Sequence, residues 1–157
     1  VHGRTVRQRY EGESCWEFLR EVKQHAGSRV VLGSGDLFAA QDCFDMIART
    51  GVDGVTVARG AIGNPWVFEQ IPGAGDGETG VPAPAAETPA RDEVCDELEH
   101  HVAGMVELYG EGIGLRIARK VVAAYLRGRG FARDLRGQVN TLSTWQEFAG
   151  LLARLRG

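Results

Sequence analysis

Residues 30–36 read Val-Val-Leu-Gly-Ser-Gly-Asp, and residues 54–60 read Gly-Val-Thr-Val-Ala-Arg-Gly. Each is a short apolar run that ends in a glycine-bearing turn, and each leads into a helical pattern. That alternation predicts βα units on a parallel sheet. Upstream of the first run, Ser14 and Glu17 predict a capping box opening a helix over residues 15–25, with Phe18, Leu19 and Val22 at helical spacing. A strand over residues 29–32 then turns through Gly33-Ser34-Gly35-Asp36 into a helix over residues 38–50. That helix places Ala40, Phe44 and Ile47 on one side and stops at Gly51. A third strand covers residues 54–58, and Asn64 with Pro65 starts a short helix through Gln70.

Beyond Ile71 the character of the chain changes. Residues 72–89 are Pro, Gly, Ala, Thr and acidic residues with almost nothing to bury, and they read as a surface linker. After it the period is helical throughout. Val94, Leu98, Val102, Met105, Val106 and Tyr109 form one stripe, and Ile117, Val121, Val122, Tyr125 and Leu126 another. A weaker segment holds Phe131, Leu135 and Val139, and Thr144 with Glu147 predicts a capping box for a final helix with Trp145, Phe148, Leu151, Leu152 and Leu155 inward. The reading is therefore two domains, residues 1–71 and 90–157, joined by the linker at 72–89, the second an all-α bundle.

Charge is unevenly spread along the 157 residues. Residues 1–71 carry 8 basic against 9 acidic side chains, residues 72–110 carry 1 against 9, and residues 111–157 carry 9 against 3. Only the tail invites a polyanion, although helix faces of opposite charge attracting one another would give the same pattern. No apolar run approaches the roughly 20 residues that span a bilayer. Three widely spaced cysteines, Cys15, Cys43 and Cys95, argue against a disulfide framework or a zinc site and fit packing on helix faces. A reducing, cytoplasmic setting is expected. The start, Val-His-Gly-Arg, reads as a chain entered in its middle.

The two glycine-rich turns carry the chemistry. Glycine lets backbone approach an anion closely, and in (β/α)8 barrels the phosphate site is commonly built by the loops after the last two strands. Glycines also serve as plain turn formers in any βα protein. The tandem arrangement, with Arg59 at the second turn, favours phosphate.

The ordered set His2-Gly3-Arg4-Thr5, Gly35-Asp36, Gly51-x-Asp53-Gly54 and Arg59-Gly60-x-x-Gly63-x-Pro65-Trp66 resembles the carboxy-terminal barrel region of tRNA-dihydrouridine synthases. Gly114-x-Arg116-x-x-Arg119-Lys120 followed by Tyr125 resembles that family's helical domain motif. The resemblance implies an α/β fold: the carboxy-terminal part of an FMN-binding (β/α)8 TIM barrel over residues 1–71, then an all-α helical tRNA-binding domain. It implies reduction of uridine to 5,6-dihydrouridine in tRNA, with NADPH as reductant, FMN as cofactor, and no metal. Carried over, Ser34, Gly35 and Asp36 on one turn and Ala58, Arg59 and Gly60 on the next would hold FMN, with His2 over the flavin or the uracil as a hydrogen-bond donor. Arg116, Arg119, Lys120 and Arg127 would meet the RNA from the helix side opposite Val121, Val122 and Tyr125.

The chain departs from the family pattern in four places. Ser34 stands for a usual Asn, Ala58 for a common Gly, Val121 for a usual His and Ala124 for a usual Trp. None of the three cysteines lies in a catalytic motif, so the resemblance implies no catalytic residue within this chain and an inactive fragment if it is taken alone. Another FMN barrel of the dihydroorotate-dehydrogenase kind would use the same turns. A non-catalytic RNA-binding module would explain the basic tail alone.

Overall fold

The computed structural model describes residues 1–9, 11–71 and 88–157. The chain divides into two compact units, Val1–Ala61 with Pro65–Ala86, and Ile62–Asn64 with Glu87–Gly157. The expected linker at 72–89 falls almost wholly outside the described residues. Among those described, no helix is long and apolar enough to cross a membrane.

The first unit is α/β. Helix α1 spans Trp16–Ala26, strand β1 Leu32–Gly33, helix α2 Ala40–Thr50 and strand β2 Gly54–Val55, followed by a 3-10 turn at Arg59–Ala61. β1 and β2 pair in parallel with Leu32 opposite Gly54 and Gly33 opposite Val55, and α2 is the crossover between them. A parallel bridge joins His2 to Ser34. Three parallel segments thus follow one another in chain order, linked by α1 and α2. The strands are shorter than the expected 29–32 and 54–58. At their flanks, Val31 donates its N–H to the Asp53 carboxylate at 2.7 Å, while backbone bonds run from Asp53 N–H to the Val31 carbonyl and from Thr56 N–H to the Gly33 carbonyl, both at 2.9 Å.

Two local expectations are corrected. α1 has Cys15, not Ser14, at its cap, with no side-chain hydrogen bond there. Ser14 is drawn the other way, giving its N–H to the Asp36 carboxylate at 2.8 Å. On α2 the buried face is Cys43, Met46 and Thr50, while Ile47 stays 38% exposed. Thr50 survives burial because its hydroxyl donates to the Met46 carbonyl at 2.7 Å and accepts from the Val52 N–H at 3.3 Å. The core of this unit gathers Leu19, Val31, Leu37, Cys43, Met46 and Val52.

The second unit is helical: α3 Arg91–Tyr109, α4 Glu111–Leu126, α5 Arg133–Gln138 with a 3-10 turn at Val139–Thr141, and α6 Trp145–Arg156. Gly110 alone separates α3 from α4. A Cβ on Gly114 would stand 2.7 Å from the Met105 carbonyl oxygen, so the absence of a side chain is what lets the two backbones approach there. The buried face of α4 is Leu115, Ala118, Val122, Tyr125 and Leu126. Ile117 and Tyr109, expected inward, are 44% and 49% exposed. Phe131, Leu135, Val139, Phe148, Leu151, Leu152 and Leu155 are buried as the pattern predicts. The second capping box forms: Thr144 Oγ1 accepts the Glu147 N–H at 3.2 Å, and the Glu147 carboxylate accepts the Ser143 and Thr144 N–H groups at 2.7 and 3.1 Å. Cys43 and Cys95 pack inside, whereas Cys15 is exposed rather than packed.

Candidate functional site

The bridge between His2 and Ser34 and the pairing of β1 with β2 bring three loop mouths to one side of the sheet. A small cleft opens there, lined by His2, Ser34, Gly35, Asp36, Phe38, Thr56, Ala58 and Arg59 among others. Its volume is about 30 Å³, space for a few ligand atoms rather than for a fused ring system. Six of the seven expected cofactor residues line it. The seventh, Gly60, lies behind it and is buried. A Cβ on Gly60 would come within 2.1 Å of the Leu37 carbonyl oxygen, so this glycine seats the second turn directly on the first. Gly60 packs the two turns together, and the side chains that line the cleft come from its neighbours.

Those groups are mostly donors. The Arg4 backbone N–H donates to His2 Nδ1 at 3.0 Å, so the neutral imidazole carries its proton on Nε2 and can donate onward. Ser34 offers a hydroxyl. Arg59 lies with its guanidinium carbon 5.4 Å from the centre of the Phe38 ring. Asp36, the one carboxylate lining the cleft among the described residues, is already engaged. Its Oδ1 accepts from Arg4 Nη1 at 2.7 Å and from Arg59 Nη2 at 3.1 Å; its Oδ2 accepts from Arg4 Nη2 at 2.5 Å and from the Ser14 N–H at 2.8 Å. The hydrogen bond to Arg4 is the main reason that the Asp36 carboxyl sits below the usual carboxylate range, with the Ser14 N–H and Arg59 adding to it. Arg4 is itself 5% exposed in its side chain and also holds the Gly12 carbonyl. Neither Arg4 nor Phe38 was singled out for a role by the sequence. Their partners lie far off or depend on a turn, and only the His2-Gly3-Arg4-Thr5 motif hinted at Arg4.

Asp36 adopts a left-handed backbone at φ 57°. Such a conformation is uncommon outside glycine and is most accessible to Asn and Asp. The turn is braced from below as well, where Trp16 Nε1 donates to the Gly35 carbonyl at 3.1 Å. Beside that brace, the Ser14 hydroxyl oxygen is buried without a hydrogen-bond partner among the described residues.

The profile of the dihydrouridine synthase family matches residues 1–156. The chain belongs to the dihydrouridine synthase family. A Mycobacterium tuberculosis protein named "Probable tRNA-dihydrouridine synthase" is 39% identical over all 157 residues, and a Mycobacterium leprae protein of the same name is also 39% identical over that length. The tRNA-dihydrouridine synthase B of Pseudomonas aeruginosa is 40% identical over 142 residues, 90% of this chain. These alignments cover 39%, 40% and 41% of the relatives, so the chain spans about two fifths of the length of the synthases it matches.

The helical unit of this family member places the expected RNA residues unequally. Arg116 is exposed on α4, with its Nε donating to the Gly112 carbonyl one turn back at 3.0 Å. Lys120 and Arg127 are exposed and make no side-chain hydrogen bond or ion pair among the described residues, and Arg127 lies just past the end of α4. Arg119 differs: it is half-buried and its Nε donates to the Leu142 carbonyl at 2.8 Å, so it ties α4 to the turn before α6. Arg154 and Arg156 pair with Asp134 and with Asp96 and Glu99. Arg133 and Arg136 on α5 are exposed and lack such partners. They belong to the same basic tail but fall outside the family motif. Among the described residues no cluster of His, Cys, Asp and Glu is placed to hold a metal.

Proposed function

We propose that the full-length protein containing this chain reduces uridine to 5,6-dihydrouridine in tRNA, using FMN as cofactor and NADPH as reductant. Residues 1–71 are read as the last βα units of a TIM barrel and residues 90–157 as its tRNA-binding helical domain, joined by the linker at 72–89. Family membership supports the reaction class, and consecutive parallel segments linked by helices support the barrel reading.

The observation that carries the site assignment is the donor set at the cleft mouth. The Ser34 hydroxyl and the Arg59 guanidinium face a space where Asp36, the one carboxylate lining it among the described residues, is engaged by two arginines and a backbone N–H, with His2 at its edge. Such a set fits a phosphate monoester and repels little of its charge. Arg59 would hold the phosphate of FMN, Ser34 and the backbone at Gly35 would pack beside it, and His2 would donate to the flavin or to the uracil. When bound, the flavin supplies the hydride that reduces the uracil C5–C6 double bond. The chain's own part is to fix the cofactor's anionic end and to present His2 Nε2 as a hydrogen-bond donor. On the helical unit, Arg116, Lys120 and Arg127 would meet tRNA phosphates, and Arg119 would position that surface.

The test uses the full-length protein. It should purify with the two visible absorption bands of a flavin and convert uridine in tRNA with NADPH. Arg59→Ala should weaken FMN binding by about 1.5–3 kcal/mol, the range for a charge-assisted hydrogen bond. A colourless, inactive protein, or Arg59→Ala with wild-type FMN retention after dialysis, refutes the assignment.

A further inference from the structure

We infer that Asp36 is a positioning residue, set between Arg4 and Arg59 so as to aim the Arg59 guanidinium into the cleft, and that its carboxylate makes no contact with the ligand. This rests on the reading of the cleft as a phosphate site.

An ionised carboxylate has about four lone-pair directions and no donor. Asp36 receives four donors, two from Arg4, one from Arg59 and one from the Ser14 N–H. Nothing is left for a ribityl hydroxyl or a ring N–H of a ligand. A second arginine in the same network would be wasteful if Asp36 served only to neutralise Arg59, because one pair would suffice. Arg4 lies buried beneath the carboxylate, and Arg59, 39% exposed in its side chain, meets the same carboxylate from the cleft side.

Geometry adds a second line. Arg59 is long and would lose rotamer freedom on binding. Here it lies between the Asp36 carboxylate and the face of Phe38, and the freedom is surrendered before the ligand arrives. The left-handed backbone of Asp36 is part of the device. It belongs to the turn that is fixed by Trp16 and Ser14.

A sign separates aiming from charge. Asp36→Asn removes a negative charge from the site, so if Asp36 acted through its field alone the variant would bind phosphate more tightly. If Asp36 aims Arg59, the variant binds it less tightly despite the greater positive charge. Asn also tolerates the left-handed conformation, so the turn itself is not disturbed by the exchange.

The experiment measures FMN and riboflavin affinities by fluorescence titration of the flavin-stripped full-length protein, so that their ratio isolates the phosphate. The expected result is a wild-type preference for FMN that falls about tenfold in Asp36→Asn, with riboflavin affinity kept. Arg59→Ala should lower the ratio at least as far, and Asp36→Asn in the Arg59→Ala background should add nothing. Should Asp36→Asn lose its fold, Asp36→Glu keeps the charge and displaces the carboxylate, and its ratio should fall as well. An unchanged or raised ratio in Asp36→Asn, an equal loss of both flavins, additive losses in the double variant, or full selectivity in Asp36→Glu overturns the inference while leaving the phosphate site standing. A wild-type protein that does not prefer FMN to riboflavin overturns the phosphate reading itself.

Discussion

Tyr125 is 1% exposed, and its hydroxyl oxygen lies 3.4 Å from His101 Nδ1 inside the helical unit. Burial pushes its phenol up to about 12, aided by the nearby Glu97 carboxylate. Since the unfolded chain loses this proton near the ordinary value of about 10, the stabilisation is complete below that pH and disappears as pH rises toward the folded value. Helical signal in Tyr125→Phe should therefore fall less steeply than in the wild type between pH 10 and 12. Equal slopes would show that Tyr125 is not what limits alkaline stability. Asp36 works in the opposite direction. Its lowered pKa gives stability that is present above about pH 4 and is lost as pH falls through the folded value. Asp36→Asn should flatten the acid limb of hydrogen-exchange protection around Gly35. At Gly60, a methyl group has no room beside the Leu37 carbonyl, and the two turns must part to admit it. Gly60→Ala should cost roughly 1–3 kcal/mol, the usual range for overpacking. Exchange measurements should show that loss in the first unit only, with α3 to α6 as well protected as before.

At the scale of elements, the contrast between the two capping boxes is instructive. Thr144 and Glu147 are local partners, and the Glu147 carboxylate is shared only with the adjoining Ser143 among the described residues; Thr144→Ala should lower the stability of the helical unit by about 1 kcal/mol in a thermal melt. Ser14 and Glu17 have the same spacing, but a carboxylate 22 residues away takes the Ser14 N–H. No reading of spacing could show that competitor. The same limit explains the cleft. Its turns were legible because each follows directly from an apolar run, whereas the Arg4 pair with Asp36 spans 32 residues and exists only once the sheet has formed. Helix phases were legible where one face alone is apolar, as on α6. α4 is apolar on two sides, with Ile113 and Ile117 competing against Leu115, Ala118 and Val122, and the decision falls to Gly114, whose close approach to Met105 selects the inward face. On α2, Met46 and Cys43 win over Ile47 because Thr50 can join their face with its hydroxyl satisfied.

Over the whole molecule, the basic excess of residues 111–157 sorts into spent and available charge. Arg154 and Arg156 are held by acidic partners, and Arg119 is engaged by a carbonyl. Lys120 and Arg127 remain available, and Arg116 is exposed. Each of these three changed to Gln should lower the salt dependence of tRNA binding by about one unit of slope, with little change in melting temperature. Arg119→Gln should instead lower the melting temperature. Unchanged slopes in all three would leave the helical unit a structural domain without an RNA surface. The one-residue connection at Gly110 also bears on how the chain acquires its structure in time. Two helices joined so closely meet through contacts that are near in sequence, and closing so short a loop costs little entropy. The parallel pairings of His2 with Ser34 and of Leu32 with Gly54 each enclose a long crossover that must be ordered first. Refolding after rapid dilution from denaturant should thus be biphasic, with the α3–α4 hairpin gaining exchange protection early and the glycine turns late. The cleft would be the last part of the chain to exist.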